Sequence, residues 1–357
     1  MMLRVSGARF PGRYIQGQGL LSRLGEESKS LGQRALIILD GFLANSLEGA
    51  VREGAAPLSA EIMVHGGECS EDEISRGVSA GRDAGVDLVI GIGGGKSLDT
   101  AKAVAYRLDG LPCVIVPTIA ASDAPCSALA VVYKPDHTVD YDYFLTRNPD
   151  LVLVDTQIIA DAPARFLAAG IGDALATWYE AQSSRLADAT NSWGTHGSPL
   201  AFEIARFCRD TIMEYGVEAL VQCDENRAGA AFERIVEANI LLSGAGFESG
   251  GVAGAHAIHN GLCELHDVHG YLHGEKVAIG VLATLLIYGR QDEFHRIREF
   301  CASVRLPVRL ADIGITEVTD AKLRKVGERA CRPGGLMDHE PKRITPEMVM
   351  DALRQMQ

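Results

Sequence analysis

At 357 residues, with 47% hydrophobic and 23% charged side chains, the chain has an ordinary globular composition and length enough for two cores. Its net charge of −13 disfavours nucleic acid or an anionic membrane surface as the main partner, because both would be repelled. The eight cysteines are scattered with no C-x-x-C pair, which points away from a zinc knuckle or a disulfide framework and fits reduced thiols.

The first residues, MMLRVSGARF, lack the apolar stretch of a signal peptide. No apolar run approaches the roughly 18 residues of a membrane span, so a cytoplasmic protein is expected. Through the first 155 residues, short apolar runs alternate with helical patterns. ALIILD (35–40), AEIMV (60–64), DLVIGIGGG (87–95), PCVIVPT (112–118) and LVLVD (151–155) are rich in Val, Ile and Leu and are predicted as buried strands. Between them, segments such as 71-EDEISRGVSAGRDAG-85 predict amphipathic helices. This alternation implies a Rossmann-like parallel sheet wrapped by helices, with its binding crevice at the carboxyl ends of the strands.

After Asp155 the pattern changes. In 161-DAPARF an Asp precedes a Pro at an early helical position, a helix start. From there on the periodicity is helical, as in 200-LAFEIARFCRDTIMEYGVEAL-220 and 230-AAFERIVEANILLSG-244, and no strand is expected. The predicted division is an α/β nucleotide-binding domain over 1–160 and an all-helical domain over 161–357 that carries metal and substrate.

The stretch 88-LVIGIGGGKSLDTAKAVAYRL-108 reads as strand, glycine turn and helix, with the helix beginning near Ser97. Gly93, Gly94 and Gly95 have no Cβ, so an anion can approach backbone N–H groups and the positive end of the helix dipole. A pyrophosphate fits there, and Lys96 stands beside it. The spacing matches neither G-x-x-x-x-G-K-[ST] nor G-x-G-x-x-G, since Lys96 occupies the last glycine position. Asp40 closes the first strong strand, where an acid can accept a ribose 2′-hydroxyl and repel a 2′-phosphate; capping the next helix would ask for the same residue type. The segment 117-PTIAASDAPCSALAVVY-133 reads as a hydroxyl-rich loop at a strand end, with Asp123 its lone acid.

Five of the ten histidines fall in 254-GAHAIHNGLCELHDVHGYLHGEK-276: His256, His259, His266, His269 and His273. A catalytic divalent ion asks for three or more side-chain ligands and an open position. His256 and His259 share a helix face. A loop is expected over 261–270 and a new element from 271, and spacing alone does not say which histidines converge. Asp173, in 170-GIGDALATWYEA-181, is a candidate carboxylate partner or a plain helix cap.

Taken together, GIGGGKSLDTAKA, PTIAASDAPCSALAVVY, VDTQIIADAPARFLAAGIGDALATWYEA, EANILLSGAGFESGG, AHAIHNGL and HGEKVA resemble the glycerol dehydrogenases of the iron-containing (group III) alcohol dehydrogenase superfamily. The resemblance covers nearly the whole chain. It implies a dehydroquinate synthase-like fold and NAD- and zinc-dependent oxidation of glycerol, or a related vicinal diol, to the ketone, in a homo-oligomer, often an octamer. It places zinc on Asp173, His256 and His273, and NAD on Asp40, Gly94, Gly95, Lys96, Asp99, Thr118, Ser127, Leu129 and Tyr133. It sets Asp123 near the polyol and Phe247 beside the pocket. His259, His266 and His269 receive no ligand role.

The chain departs from the family pattern at several positions. Trp178 stands five residues after Asp173, where iron-using relatives place a further His. Ala121 replaces a common serine, with Ser122 as its substitute, and Gly270 replaces a residue often His; 191-NSWGTHGSPL-200 is unlike the family pattern. A hydroxycarboxylate dehydrogenase of the same superfamily is the alternative. Residues 235–275 contain no Lys or Arg to hold an anionic substrate, with Lys276 just beyond, which favours a neutral polyol.

Overall fold

The computed structural model describes residues 4–136 and 138–357; Met1–Leu3, where the stretch read for a leader begins, and His137 lie outside it. The strands in chain order are β1 (Ser6–Gly7), β2 (Tyr14–Gly17), β3 (Arg34–Asp40), β4 (Ser59–His65), β5 (Leu88–Gly93), β6 (Cys113–Pro117), β7 (Leu129–Tyr133), β8 (Val139–Phe144), β9 (Leu151–Asp155) and β10 (His196–Gly197). Helices α1 (Leu24–Ser28), α2 (Ala44–Gly54), α3 (Glu71–Ala84) and α4 (Gly95–Arg107) accompany the sheet. From Thr156 onward come α5 (Thr156–Ala160), α6 (Ala164–Leu186), α7 (Pro199–Asp224), α8 (Ala230–Glu237) and α9 (Ser243–Gly250). They are followed by α10 (Gly254–Leu262), α11 (His273–Ile287), α12 (Gln291–Ser303), α13 (Asp320–Ala330) and α14 (Pro346–Arg354).

Six strands form one parallel sheet in the order β2-β9-β6-β5-β3-β4. From β3 the chain winds outward to β4, then crosses back to β5 and continues the other way. The switch point therefore lies between β3 and β5, where a ligand crevice is expected. Because side chains alternate along a strand, each central strand feeds two cores. Ile37, Leu39, Ile90, Ile92, Val114 and Val116 pack on one face with Leu21 and Leu24. Leu36, Ile38, Val89, Ile115 and Val152 pack on the other, in a core that runs without a break through the helices to Met356. Unbroken apolar runs such as LVLV (151–154) are what a sheet covered on both faces requires.

Several expectations need correction. A strand does occur after residue 161: His196–Gly197 pairs in parallel with Ser6–Gly7. The segment 117–133 is not all loop, because Leu129–Tyr133 forms an antiparallel hairpin with β8. Its alternation is masked by the hydroxyl-rich residues before it, yet Ala130 and Val132 enter the core. The helix after the glycine turn starts at Gly95, two residues before Ser97. Asp161 ends α5 and does not start a helix; Pro163 instead caps α6. The run 230–244 is interrupted by a π turn over Ala238–Leu242.

Candidate active site

The glycine turn sits at the switch point. Gly93 has φ +151°, and a Cβ there would stand 2.6 Å from the Cβ of Asp40, so glycine is required. The Asp40 carboxylate accepts the Phe42 N–H on Oδ1 at 3.0 Å, and on Oδ2 the Gly94 N–H at 3.4 Å and the Ser97 hydroxyl at 3.1 Å. Asp40 thus fixes the turn it faces. Thr118 donates its N–H to the Gly93 carbonyl at 3.0 Å. Lys96 pairs with Glu68 at 2.8 Å and lies over the Tyr133 ring, 5.1 Å from its centre.

Asp99 is buried and doubly engaged. It pairs with Lys102 at 2.8 Å and accepts the Val131 N–H at 3.0 Å. Lys102, itself buried, donates to the carbonyls of Ala124 at 2.9 Å, Ser127 at 3.4 Å and Leu129. A buried ammonium needs such a partner set. The pair therefore holds Ser127, Leu129 and, through β7, Tyr133 against α4.

The second cluster is built by close helix crossings. A Cβ on Gly274 would stand 1.8 Å from the Ala169 carbonyl oxygen, and one on Gly172 would stand 2.4 Å from the Gly274 oxygen. Only glycines let α6 and α11 cross this tightly. Gly280 does the same for α10, 2.2 Å from the Ala255 oxygen, and Gly170 for the 118–127 loop, 1.9 Å from the Ala120 oxygen. Arg165 on α6 locks the crossing through Glu275 on α11, at 2.6 and 2.8 Å.

These contacts converge three side chains. Asp173 Oδ1 lies 3.1 Å from His273 Nε2 and 3.4 Å from His256 Nε2, and the two imidazole nitrogens are 3.3 Å apart. Asp173 is buried in mid-helix, so it is not the cap that Gly-Asp spacing allowed. The donor atoms lie within 4.8 Å of one another, and one carboxylate with two imidazoles is a donor set suited to a divalent ion. His266 and His269 meet edge to face, their ring centres 4.9 Å apart, and are not in this cluster. Phe247 is buried in α9.

A polar shell supports the three. Glu180, 2% exposed, accepts His256 Nδ1–H at 2.6 Å and the N–H groups of His256 at 2.8 Å and Ala253 at 3.0 Å. Glu340 accepts the Gly254 N–H at 2.9 Å, the Ser183 hydroxyl at 2.8 Å and the Tyr288 hydroxyl at 2.7 Å. Two carboxylates thus accept the N–H groups of Ala253, Gly254 and His256 at the start of α10. Asn239, within the π turn, donates to the carbonyls of Ala120 at 3.0 Å and Leu167 at 3.1 Å. Such turns recur where a helix must re-aim a side chain.

Asp123 joins the cluster through its backbone, donating its N–H to Asp173 Oδ2 at 3.2 Å, while its own carboxylate accepts the Ser243 hydroxyl at 2.8 Å. The electrostatics follow from this crowding. Burial and the neighbouring Asp173 charge push the Asp123 carboxyl well up. Burial works against an ionised Asp173, but His273 and His256 outweigh it and hold that carboxyl well below its usual range. Burial likewise opposes a charged His256, and Glu180 and Asp173 outweigh it, raising its pKa.

Sequence reasoning missed Glu180, Glu340, Asn239 and Ser243. A signal existed for Glu180: seven residues after Asp173 is two helical turns, so both carboxylates share one face of α6.

A six-stranded parallel sheet with a glycine turn at its switch point, joined to a helical body that gathers an Asp and two His, defines a dehydroquinate synthase-like protein. The chain belongs to the iron-containing alcohol dehydrogenase family, whose sequence model matches residues 11–156. A glycerol dehydrogenase of Thermotoga maritima is 50% identical over 347 residues, covering 97% of this chain and 95% of that protein. A glycolaldehyde reductase of Halobacterium salinarum is 42% identical, with 96% of this chain and 94% of that protein covered. The crystal structure of a probable glycerol dehydrogenase from Sinorhizobium meliloti 1021 superposes with a TM-score of 0.94 at 42% identity, covering 99% of this chain and 98% of that one. Among the described residues no helix is long and apolar enough to cross a membrane.

Proposed function

We propose that the chain is an NAD-linked, zinc-dependent polyol dehydrogenase that converts glycerol and NAD+ to dihydroxyacetone, NADH and a proton. One observation carries the reading. Neighbouring residues of a single loop lie beside both clusters: Ser122 Oγ lies 4.0 Å from where a Gly95 Cβ would stand, and the Asp123 N–H bonds Asp173 at 3.2 Å. A dinucleotide on the glycine turn and an alcohol at the Asp/His cluster would then lie side by side, as hydride transfer demands.

In this reading Asp173, His256 and His273 hold the ion, with Trp178 in place of a further protein ligand leaving positions open. A divalent ion bound there is a Lewis acid that lowers the pKa of a coordinated hydroxyl. The chain's own groups supply the rest. Asp40 receives the ribose, Gly94, Gly95 and Lys96 the pyrophosphate, and Thr118, Ser122, Ser127, Leu129 and Tyr133 line the remainder of the cofactor path. Asp99 acts from behind, through Lys102 and β7. Asp123 accepts a hydrogen bond from the polyol, and residues 235–275 offer no Lys or Arg to hold a carboxylate substrate. We assign residues 1–160 to the nucleotide and 161–357 to metal and substrate.

The test measures NADH formation from glycerol, propane-1,2-diol and 2-hydroxy acids, with and without chelator and added zinc. Chelator-sensitive, zinc-restored turnover of the diols is expected. Turnover of hydroxy acids alone would overturn the substrate assignment.

A further inference from the structure

We infer that His259 is a positioning residue for His273: it fixes which nitrogen of His273 carries the proton and which way its ring faces. The inference rests on the metal assignment of Asp173, His256 and His273 and goes beyond it. A histidine binds metal through a lone pair, and its other nitrogen then carries hydrogen and needs an acceptor. For His256 that acceptor is Glu180, 2.6 Å from Nδ1. Among the described residues no carboxylate stands against Nδ1 of His273. Its Nε2 faces Asp173 at 3.1 Å, and its Nδ1 lies 3.1 Å from Nε2 of His259.

Proton bookkeeping then assigns the relay. With Nε2 of His273 offered to the ion, Nδ1–H is the donor, so His259 accepts on Nε2 and is neutral. Its own proton sits on Nδ1, which has Asn260 Oδ1 at 3.2 Å as acceptor. The Cys263 thiol, 3.4 Å from the same Nε2, is a second weak donor to it. The reverse tautomer of His259 would set donor against donor at His273 and acceptor against acceptor at Asn260 Oδ1. Its Nε2 is turned to His273 and is absent from the three-atom cluster, which makes His259 a support of the site and not a fourth ligand. One ligand imidazole is therefore backed by an anion and the other by a neutral base.

Three variants of the full chain separate this role from simple packing. His259→Phe keeps the ring but removes the acceptor. His259→Asn keeps a polar atom near Nδ1 only, whereas His259→Gln places an amide oxygen near the position of Nε2. Zinc affinity is measured by competition with a colorimetric chelator, and NAD affinity by fluorescence quenching as an independent check of folding. His259→Phe and His259→Asn are expected to lose about 10–100-fold in zinc affinity, with His259→Gln recovering most of it and NAD affinity unchanged throughout. If His259→Phe fails to fold, the comparison of Gln with Asn decides. Equal losses in Gln and Asn, or no loss in any variant, overturn the inference while leaving the metal site standing. A wild type that binds no divalent ion overturns the metal assignment and this inference together.

Discussion

Gly274→Ala tests whether the crossing of α6 and α11 sets the geometry of the Asp/His cluster. The added methyl would start 1.8 Å from the Ala169 carbonyl oxygen, 2.7 Å from its carbon and 3.0 Å from the Asp173 nitrogen. Reaching an ordinary contact of 3.4 Å needs about 1.6 Å of separation, and the obstacle is backbone, which has no rotamer to yield. Overpacking of this kind costs about 1–3 kcal/mol of stability. The functional cost is the larger one. His273 opens α11 and Asp173 lies in mid-α6, so the separation passes directly into their 3.1 Å contact. A misplacement of about 1 Å costs roughly 10²-fold in rate. The assay combines thermal unfolding, zinc stoichiometry and kcat/KM for glycerol. Gly270→Ala is the control, since nothing lies within 4 Å of its Cβ position. Wild-type zinc binding and turnover in Gly274→Ala would refute the argument that this crossing positions the ligands.

Glu180→Gln replaces a three-bond acceptor by an amide whose oxygen can serve the two backbone N–H groups but whose NH2 then faces His256 Nδ1–H. Relief requires the other tautomer of His256, which puts a hydrogen on the metal-side nitrogen; zinc affinity measured by chelator competition should fall about 10–100-fold, and a change under twofold would contradict this. Asp40→Asn keeps an acceptor for the glycine turn but removes the charge. The ratio of kcat/KM for NADP to that for NAD should rise about tenfold or more, given the about 1.5–3 kcal/mol of a charged hydrogen bond, and an unchanged ratio would exclude Asp40 from cofactor choice. His65 is buried at the end of β4 against Ser97 at 3.2 Å and Thr100 at 3.0 Å, and burial lowers its pKa below 6.5. The unfolded chain then binds more protons below pH 6.5, so stability is full above that value and falls as the pH drops toward the folded pKa. His65→Gln should flatten the decline of Tm in that window, and parallel curves would show that His65 does not drive it.

The sheet was legible because two-sided burial writes itself as unbroken Val, Ile and Leu runs; β3, β5, β6 and β9 could hardly be anything else. The β7–β8 hairpin was not, since what anchors it is Lys102 reaching from another element to three carbonyls. The π turn at Ala238–Leu242 was equally hidden: Asn239 is drawn to the carbonyls of Ala120 and Leu167, neither of them near in sequence. The five histidines show the limit most plainly. Helix periodicity put His256 and His259 on one face, as found, but gave no reason to prefer one over the other. That choice comes from the placement of α11 by Gly274 and Gly280, which turns Nε2 of His273 to His256 and its Nδ1 to His259.

The adjacency of Ser122 and Asp123 turns loop length into a fixed quantity. Consecutive Cα atoms are about 3.8 Å apart, so inserting or deleting one residue between Pro117 and Ser127 would move one of the two contacts off its target by about that distance. The loop acts as a gauge block between two halves of a reaction, and an alignment of related chains should run through it without a gap.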